Sequence, residues 1–306
     1  MGAGKSIRPH PGGLGWWGLV SGSLVRRLLR RLHLEAEGDP VPGELRGWSY
    51  HSPPVRPRAY LGLGVSEVAY GAACGWREAW LRRRGVRPGK TPAMEAGAAL
   101  HEAVHRAALD ARVSLARGER PWSAAARLLS AAPRRLGGLP GWAVEVYRAL
   151  VLSWLGEAAG HQLYYGGEGA GWLPWLSEYR VDGYPLGLSR ALRVDALAEA
   201  GVVVEVKLGR PQWWHRLALA GYALALESML EAPFDYGVLL AFTGGDGRPP
   251  RFLVEPVYIS PGLREDFLAA RDEAVDALLS GVEPEDRCPQ RGEAGGGEAA
   301  WLGSST

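Results

Sequence analysis

Lysine is almost absent from this chain. Of 35 Lys and Arg residues only Lys5, Lys90 and Lys207 are lysines, so arginine is the default cation and each lysine stands out. Cysteine is scarcer still. Cys74 and Cys288 lie far apart and in no CxxC pair, which argues against a disulfide framework and fits a cytoplasmic setting. No run approaches the roughly 18 apolar residues of a membrane span. The apolar patch from Trp16 to Val20 is followed by arginines, the wrong order for a signal peptide. Charge of one sign is also lacking, because 33 acidic residues leave a net charge of only +2. Any contact with nucleic acid must therefore come from local basic patches. Apolar residues are plentiful, at 47% of 306, enough for a sizeable core.

The first half reads as helical. Residues 1–13 are rich in Gly and Pro, and Gly4-Lys5-Ser6 lacks both the leading glycine and the preceding strand of a phosphate loop. Residues 18–35 form a basic amphipathic helix, and Pro40 to Pro57 is irregular. The pattern predicts one helix over 64–84 and a turn at Arg87-Pro88-Gly89. A longer helix runs from about Pro92 to Arg117, with Thr91 as N-cap. Further helices are expected at about 121–131 and 142–158, separated by the Pro/Gly-rich 133–141. After Gly171 the pattern becomes that of strands, at 175–182, 191–198, 202–208, 235–243 and 252–259, with helices at about 211–231 and 261–280. The expected layout is a helical lobe on a mixed α/β core. It divides into 1–60 (basic helix and Pro-rich segment), 61–170 (helical lobe with Cys74 and His101), 171–282 (α/β core) and 283–306 (Gly-rich tail with Cys288).

The stretch from Arg193 to Lys207 carries the chemistry. It reads as two strands joined by a three-residue turn ending at Gly201, which suits the left-handed position of such a loop. Ala198 then faces Val202 and Asp195 lies opposite Glu205. Opposed residues share a face, and Lys207, two residues on, joins them, while Val204 and Val206 point to the other side. Two close carboxylates repel unless a cation neutralises them, and a hard divalent ion with oxygen ligands does so. Such a centre activates water and stabilises charge on a phosphate under attack. Upstream, His101 and His105 share one face of the long helix. An imidazole ligand would tilt the metal preference from magnesium toward manganese. Gly97 is expected to admit a close backbone approach that brings this helix against the sheet.

Gly97-xxx-His101, Asp195 and Glu205-Val206-Lys207 together resemble the RecB-family nuclease pattern in order and spacing. More narrowly, the chain resembles the CRISPR-associated RecB-like exonucleases, the Cas-four family and its archaeal Csa-one branch. The strings that carry this are Arg46-Gly-Trp, Leu63 to Ala69 leading to Cys74, Trp76-Arg-Glu, Asp182 to Ser189 and Ala220 to Ser228. The resemblance implies an α/β fold of restriction-endonuclease-like, PD-(D/E)xK type, with a mixed sheet core flanked by helices and a mainly helical amino-terminal lobe. It implies Mn or Mg ligands at His101, Asp195, Glu205 and the Val206 carbonyl, a catalytic Lys207, and Glu178 as an accessory acid. It also implies trimming of DNA ends during spacer acquisition, beside the CRISPR integrase proteins.

Two departures from the family pattern matter. Relatives carry Gln-xxx-Tyr after the ExK strand; here Tyr222 matches the Tyr, but Ala218 stands at the Gln position. Relatives also hold an iron–sulfur cluster on four cysteines. Cys74 and Cys288 match two of these, and residues 291–306 supply no more, so the ligand set is incomplete. The DNA surface is expected at Arg77, Arg82, Arg83 and Arg84 on the cysteine-bearing helix, with Arg210, His215 and the stacking pair Trp213 and Trp214. Two other readings stay open: a non-catalytic DNA-binding scaffold of the adaptation complex, and a RecB-like repair nuclease outside CRISPR.

Overall fold

The computed structural model describes residues 22–86, 89–165, 174–198, 201–243 and 251–287. Gly4-Lys5-Ser6, Trp16 to Val20, Arg87-Pro88 and Cys288 lie outside the described residues. The core is one five-stranded sheet of β1 (Leu176–Val181), β2 (Leu192–Ala198), β3 (Val202–Leu208), β4 (Tyr236–Thr243) and β5 (Arg251–Tyr258), in sequential order. Only β3–β4 is parallel. A parallel pair needs a crossover, and helix α7 (Trp213–Leu230) supplies it.

Two apolar layers sandwich the sheet. One holds Ala196, Ala198, Val202, Val204, Val206, Val238 and Leu240 against α4 (Pro92–Ala116), α5 (Pro121–Arg135) and α6 (Gly141–Tyr165). The other holds Val203, Leu239 and Val257 against α7, α8 (Pro261–Leu279) and α2 (Val65–Cys74). Strand β3 is apolar on both faces except at its end, the pattern of a strand buried between layers. Helix α1 (Gly22–Gly38) packs beside β5, and its His33 Nδ1 is 3.0 Å from the hydroxyl of Tyr236 on β4. Strand β5 forms one edge of the sheet, and Leu29 of α1 packs with Phe252 and Val254 on its face. The opposite edge is β1.

Helix α4 starts where the caps require. Pro92 takes the first position and the Thr91 hydroxyl accepts the Met94 amide at 3.2 Å. It packs through a stripe of small residues, Ala99, Ala103, Ala107 and Ala111. This corrects the expected role of Gly97: a Cβ built there meets nothing within 4 Å, so no backbone approaches it.

Two other expectations change. The helix expected over 64–84 breaks into α2 and α3 (Arg77–Arg83) at Gly75, whose φ is +84°. A Cβ at Gly75 would meet the Glu285 carbonyl at 2.7 Å, so the break accommodates the returning 285–287 segment. Helix α5 runs through Pro133 to Arg135 rather than ending near 131. Its last turn is held from outside, by Arg135 Nε donating to Asp110 Oδ2 at 2.7 Å, an oxygen that also accepts the Tyr147 hydroxyl.

Candidate metal centre on the second hairpin

The β2–β3 turn sets Ala198 opposite Val202 and Ala196 opposite Val204, with Gly201 at φ +73°. The ladder stops one step short of Asp195 and Glu205. There the Asp195 carboxylate takes over, with Oδ2 accepting the Val206 amide N–H at 2.7 Å. Glu205 is buried, at 1% exposure; Lys207 Nζ lies 2.5 Å from its Oε1, while its Oε2 has no hydrogen-bond partner. An orphaned buried carboxylate oxygen is costly, and it marks a place where a cation or water belongs.

The β1–β2 register adds a further acid. Ser177 pairs with Ala196 and Tyr179 with Val194, so Glu178 falls opposite Asp195. Glu178 sits at φ +54°, a left-handed conformation that is strained for a residue with a side chain. Helix α4 packs on both β1 and β3, and His105 Nδ1 meets the Ser177 hydroxyl at 2.9 Å. This places His101 Nδ1 3.4 Å from Asp195 Oδ1. Ligand atoms of His101, Glu178 and Asp195 all lie within 4.8 Å of one another. Glu178 thus stands inside the cluster, while Glu205 sits beside it, tied to Lys207.

The protonation states follow from burial. Loss of solvent pushes the Asp195 carboxyl up to about 6 and the Glu205 carboxyl up to about 7, the latter raised further by Asp195. Burial and then Lys207 hold His101 below its ordinary range, so the imidazole is neutral and available as a ligand. For Lys207 burial works downward, but Glu205 and Asp195 outweigh it and keep the ammonium charged. The Tyr222 hydroxyl is raised well above its ordinary value, by burial and then by Glu205 and Asp195, and it bonds to Ser66.

A stability test follows. Both acids bind protons more tightly folded than unfolded, so their stabilising contribution is complete below about pH 4 and is lost as pH rises through 6 and 7. Metal-free protein should therefore lose up to about 4 kcal/mol, roughly 10 °C in Tm, between pH 5 and pH 8. Millimolar Mn²⁺ should restore it at pH 8 and not at pH 5, measured by thermal unfolding. Equal Mn²⁺ shifts at both pH values would remove these acids from the centre.

The remaining sequence-predicted residues are scattered. Tyr222 projects from α7 toward the acids, and Ala218 is buried in the core. Trp213 is 57% exposed and sits edge-on to Trp214 at 6.0 Å. His215 caps α7 by accepting the Gln212 amide at 3.0 Å, and burial lowers its imidazole to about 4. Arg210 is exposed just past β3. Arg77 pairs with Glu283, Arg82 with Glu78, Arg83 donates to the Leu61 carbonyl and Arg84 covers Trp80. Cys74 is buried at the end of α2. Its carbonyl accepts the Arg287 amide at 3.0 Å, which brings the carboxyl-terminal segment to α2.

Residues 20–291 match the sequence profile of the CRISPR-associated exonuclease Csa1 family. The chain belongs to that family. It is 34% identical over 280 residues to a CRISPR-associated exonuclease Csa1 from Thermoproteus tenax, covering 87% of this chain and 94% of that one. It is 41% identical over 113 residues to a protein of the same description from Saccharolobus solfataricus, covering 37% and 38%. A solved structure of a provisionally assigned exonuclease from Eubacterium rectale superposes with a TM-score of 0.41 at 10% identity, covering 81% of this chain and 90% of that one. Among the described residues no helix is long and apolar enough to cross a membrane.

Proposed function

We propose that this Csa1-family chain is a divalent-metal-dependent deoxyribonuclease that trims DNA ends during CRISPR spacer acquisition, working beside the integrase proteins. The observation that carries the reading is the convergence of His101, Glu178 and Asp195 within 4.8 Å beside a buried Glu205 whose Oε2 lacks a partner. That donor set, one neutral imidazole and several carboxylate oxygens, suits Mn²⁺ or Mg²⁺. His101, Glu178 and Asp195 would hold the ion, with Glu205 Oε2 and the Val206 carbonyl as further oxygen donors. A bound divalent ion supplies Lewis-acid stabilisation of the phosphate and an acidified water.

The protein's own groups do the rest. The Val206 amide fixes the Asp195 carboxylate at Oδ2, leaving Oδ1 toward His101. Lys207 keeps its proton on Nζ, so it acts as a donor to a phosphate oxygen or to the attacking water and not as a base. Tyr222 likewise keeps its proton and donates. The iron–sulfur cluster of relatives is not assigned a role, because the described residues supply only Cys74.

The test is end-labelled single-stranded DNA incubated with purified protein in Mn²⁺, in Mg²⁺ and in EDTA. Stepwise shortening in either metal and none in EDTA is expected, and a closed circular single strand should resist. DNA binding without cleavage in any metal would favour the scaffold reading. Unchanged length of newly acquired spacers after gene deletion would favour a repair role outside CRISPR.

A further inference from the structure

The exposed edge of the sheet carries a second charged pair that the acid centre does not explain. Arg180 on β1 lies directly opposite Arg193 on β2, two residues along β1 from the Glu178–Asp195 position, toward the 182–191 connection. Side chains placed opposite each other share a face at about 5 Å between Cβ atoms, where like charges destabilise the sheet. Arg193 is 55% exposed and reaches Glu178 Oε2 only at 3.4 Å. Arg180 is exposed and has no ion-pair partner among the described residues. Past this pair, Tyr184 sits on a short 3-10 turn, Tyr184–Leu186, in the connection. The Tyr60 ring stacks on it at 4.9 Å and 30°, and the Arg190 guanidinium lies 4.1 Å from its centroid. Both tyrosines are exposed.

We propose that Arg180 and Arg193, continued by Tyr184, Tyr60 and Arg190, form a track for single-stranded DNA leading away from the acid centre. The guanidinium pair takes the phosphate next to the one being cut, and the ring stack takes an unpaired base. This rests on the nuclease reading of the centre. A phosphate between two opposed guanidiniums removes their repulsion and gains charge-assisted hydrogen bonds from both. Two residues along a strand span about 7 Å, comparable to one repeating unit of an extended single strand. Exposed aromatic faces bind bases only when these are free of a duplex stack. Tyr184 is held for this: its amide is fixed by Asp182 Oδ1 at 2.9 Å, and Gly187 at φ +72° closes its turn.

The experiment is fluorescence anisotropy with labelled oligothymidylate in EDTA, on the full chain. Arg180→Glu should weaken binding about tenfold and reduce the slope of log K against log salt by about 0.7, one phosphate contact on a single strand. Tyr184→Ala should weaken it about tenfold with the slope unchanged, and Tyr184→Phe should bind as the parent does, because stacking carries no charge. Arg180 and Tyr184 are exposed and stand outside the acid centre, so neither substitution should lower the Tm, and Arg180→Glu, which faces Arg193 with an opposite charge, should unfold at or slightly above the parental temperature. Parent-like binding and slope in both Arg180→Glu and Tyr184→Ala would overturn the track. So would an equal loss on a blunt duplex, or tighter binding of oligouridylate than of oligothymidylate. Mn²⁺-dependent hydrolysis of bis(p-nitrophenyl) phosphate, which carries neither a second phosphate nor a nucleobase for the track to hold, reports on the acid centre and should survive both substitutions. If the parent hydrolyses neither this ester nor DNA, the nuclease reading fails while the binding data still decide the track.

Discussion

Glu205→Gln and Asp195→Asn should each lower Mn²⁺-dependent DNA cleavage by about a thousandfold, on the order of 4 kcal/mol of transition-state stabilisation, while making the metal-free protein more stable. The two effects have one cause. Both carboxyls are held away from water and keep their protons to about pH 6 and pH 7, so at pH 8 the metal-free fold carries ionised groups it disfavours. An amide of the same shape removes that cost. In Asp195→Asn the side-chain carbonyl would still present an oxygen to the Val206 amide. In Glu205→Gln the amide would still fit beside Lys207, so neither substitution opens a cavity. The substituted proteins should unfold at a higher temperature than the parent at pH 8 in EDTA, and Mn²⁺ should add less to them than to the parent. Cleavage at the parental rate in either protein would reject the assignment of the centre. Loss of cleavage together with a lower Tm would show a structural role instead.

How much of this centre was legible in the sequence depended on how local each signal is. The Asp195, Glu205 and Lys207 face follows from period-two patterning around a turn that needs a left-handed glycine, and Gly201 at φ +73° supplies it. The start of α4 was equally legible, because a cap is a four-residue affair. Glu178 was less so. Its place opposite Asp195 depends on the β1–β2 register, and the two strands are joined by the irregular 182–191 segment rather than by a short loop that fixes pairing. The Arg180–Arg193 pair was invisible for the same reason. The breaks in expectation along the helices are also long-range effects. Gly75 interrupts 64–84 because residues 285–287 come to lie on it, and Pro133 stays helical because Asp110 on α4 holds Arg135. The contacts of the α3 arginines with Glu283 and with the Leu61 carbonyl are equally long-range and were not legible.

The largest expected loss of stability lies outside the acid cluster, at Arg264. This guanidinium is fully buried, and it donates to both Glu227 oxygens, at 2.7 and 2.9 Å, to the Phe234 carbonyl and to Asp235. Glu227, also fully buried, further accepts Arg46 at 2.9 Å, the Gly47 amide at 2.8 Å and the Phe234 amide at 3.1 Å. Arg46 reaches Asp235 as well, so two guanidiniums and two carboxylates balance. Gly47 is there because nothing larger fits: a Cβ would lie 1.9 Å from the Leu224 carbonyl. The Arg46-Gly string and Glu227 on α7 are therefore two halves of one buried network that pins the amino-terminal segment and α8 to the helix carrying Tyr222. Arg264→Met should cost about 3–5 kcal/mol, because Glu227 is left charged and underpaired where water cannot reach it. That corresponds to a Tm lower by roughly 10 °C. The double substitution Arg264→Met with Glu227→Leu should cost less than the sum of the two single changes, since it removes both halves of the pair and leaves Arg46 with Asp235. Strict additivity in that cycle would mean that the network contributes packing rather than paired charge.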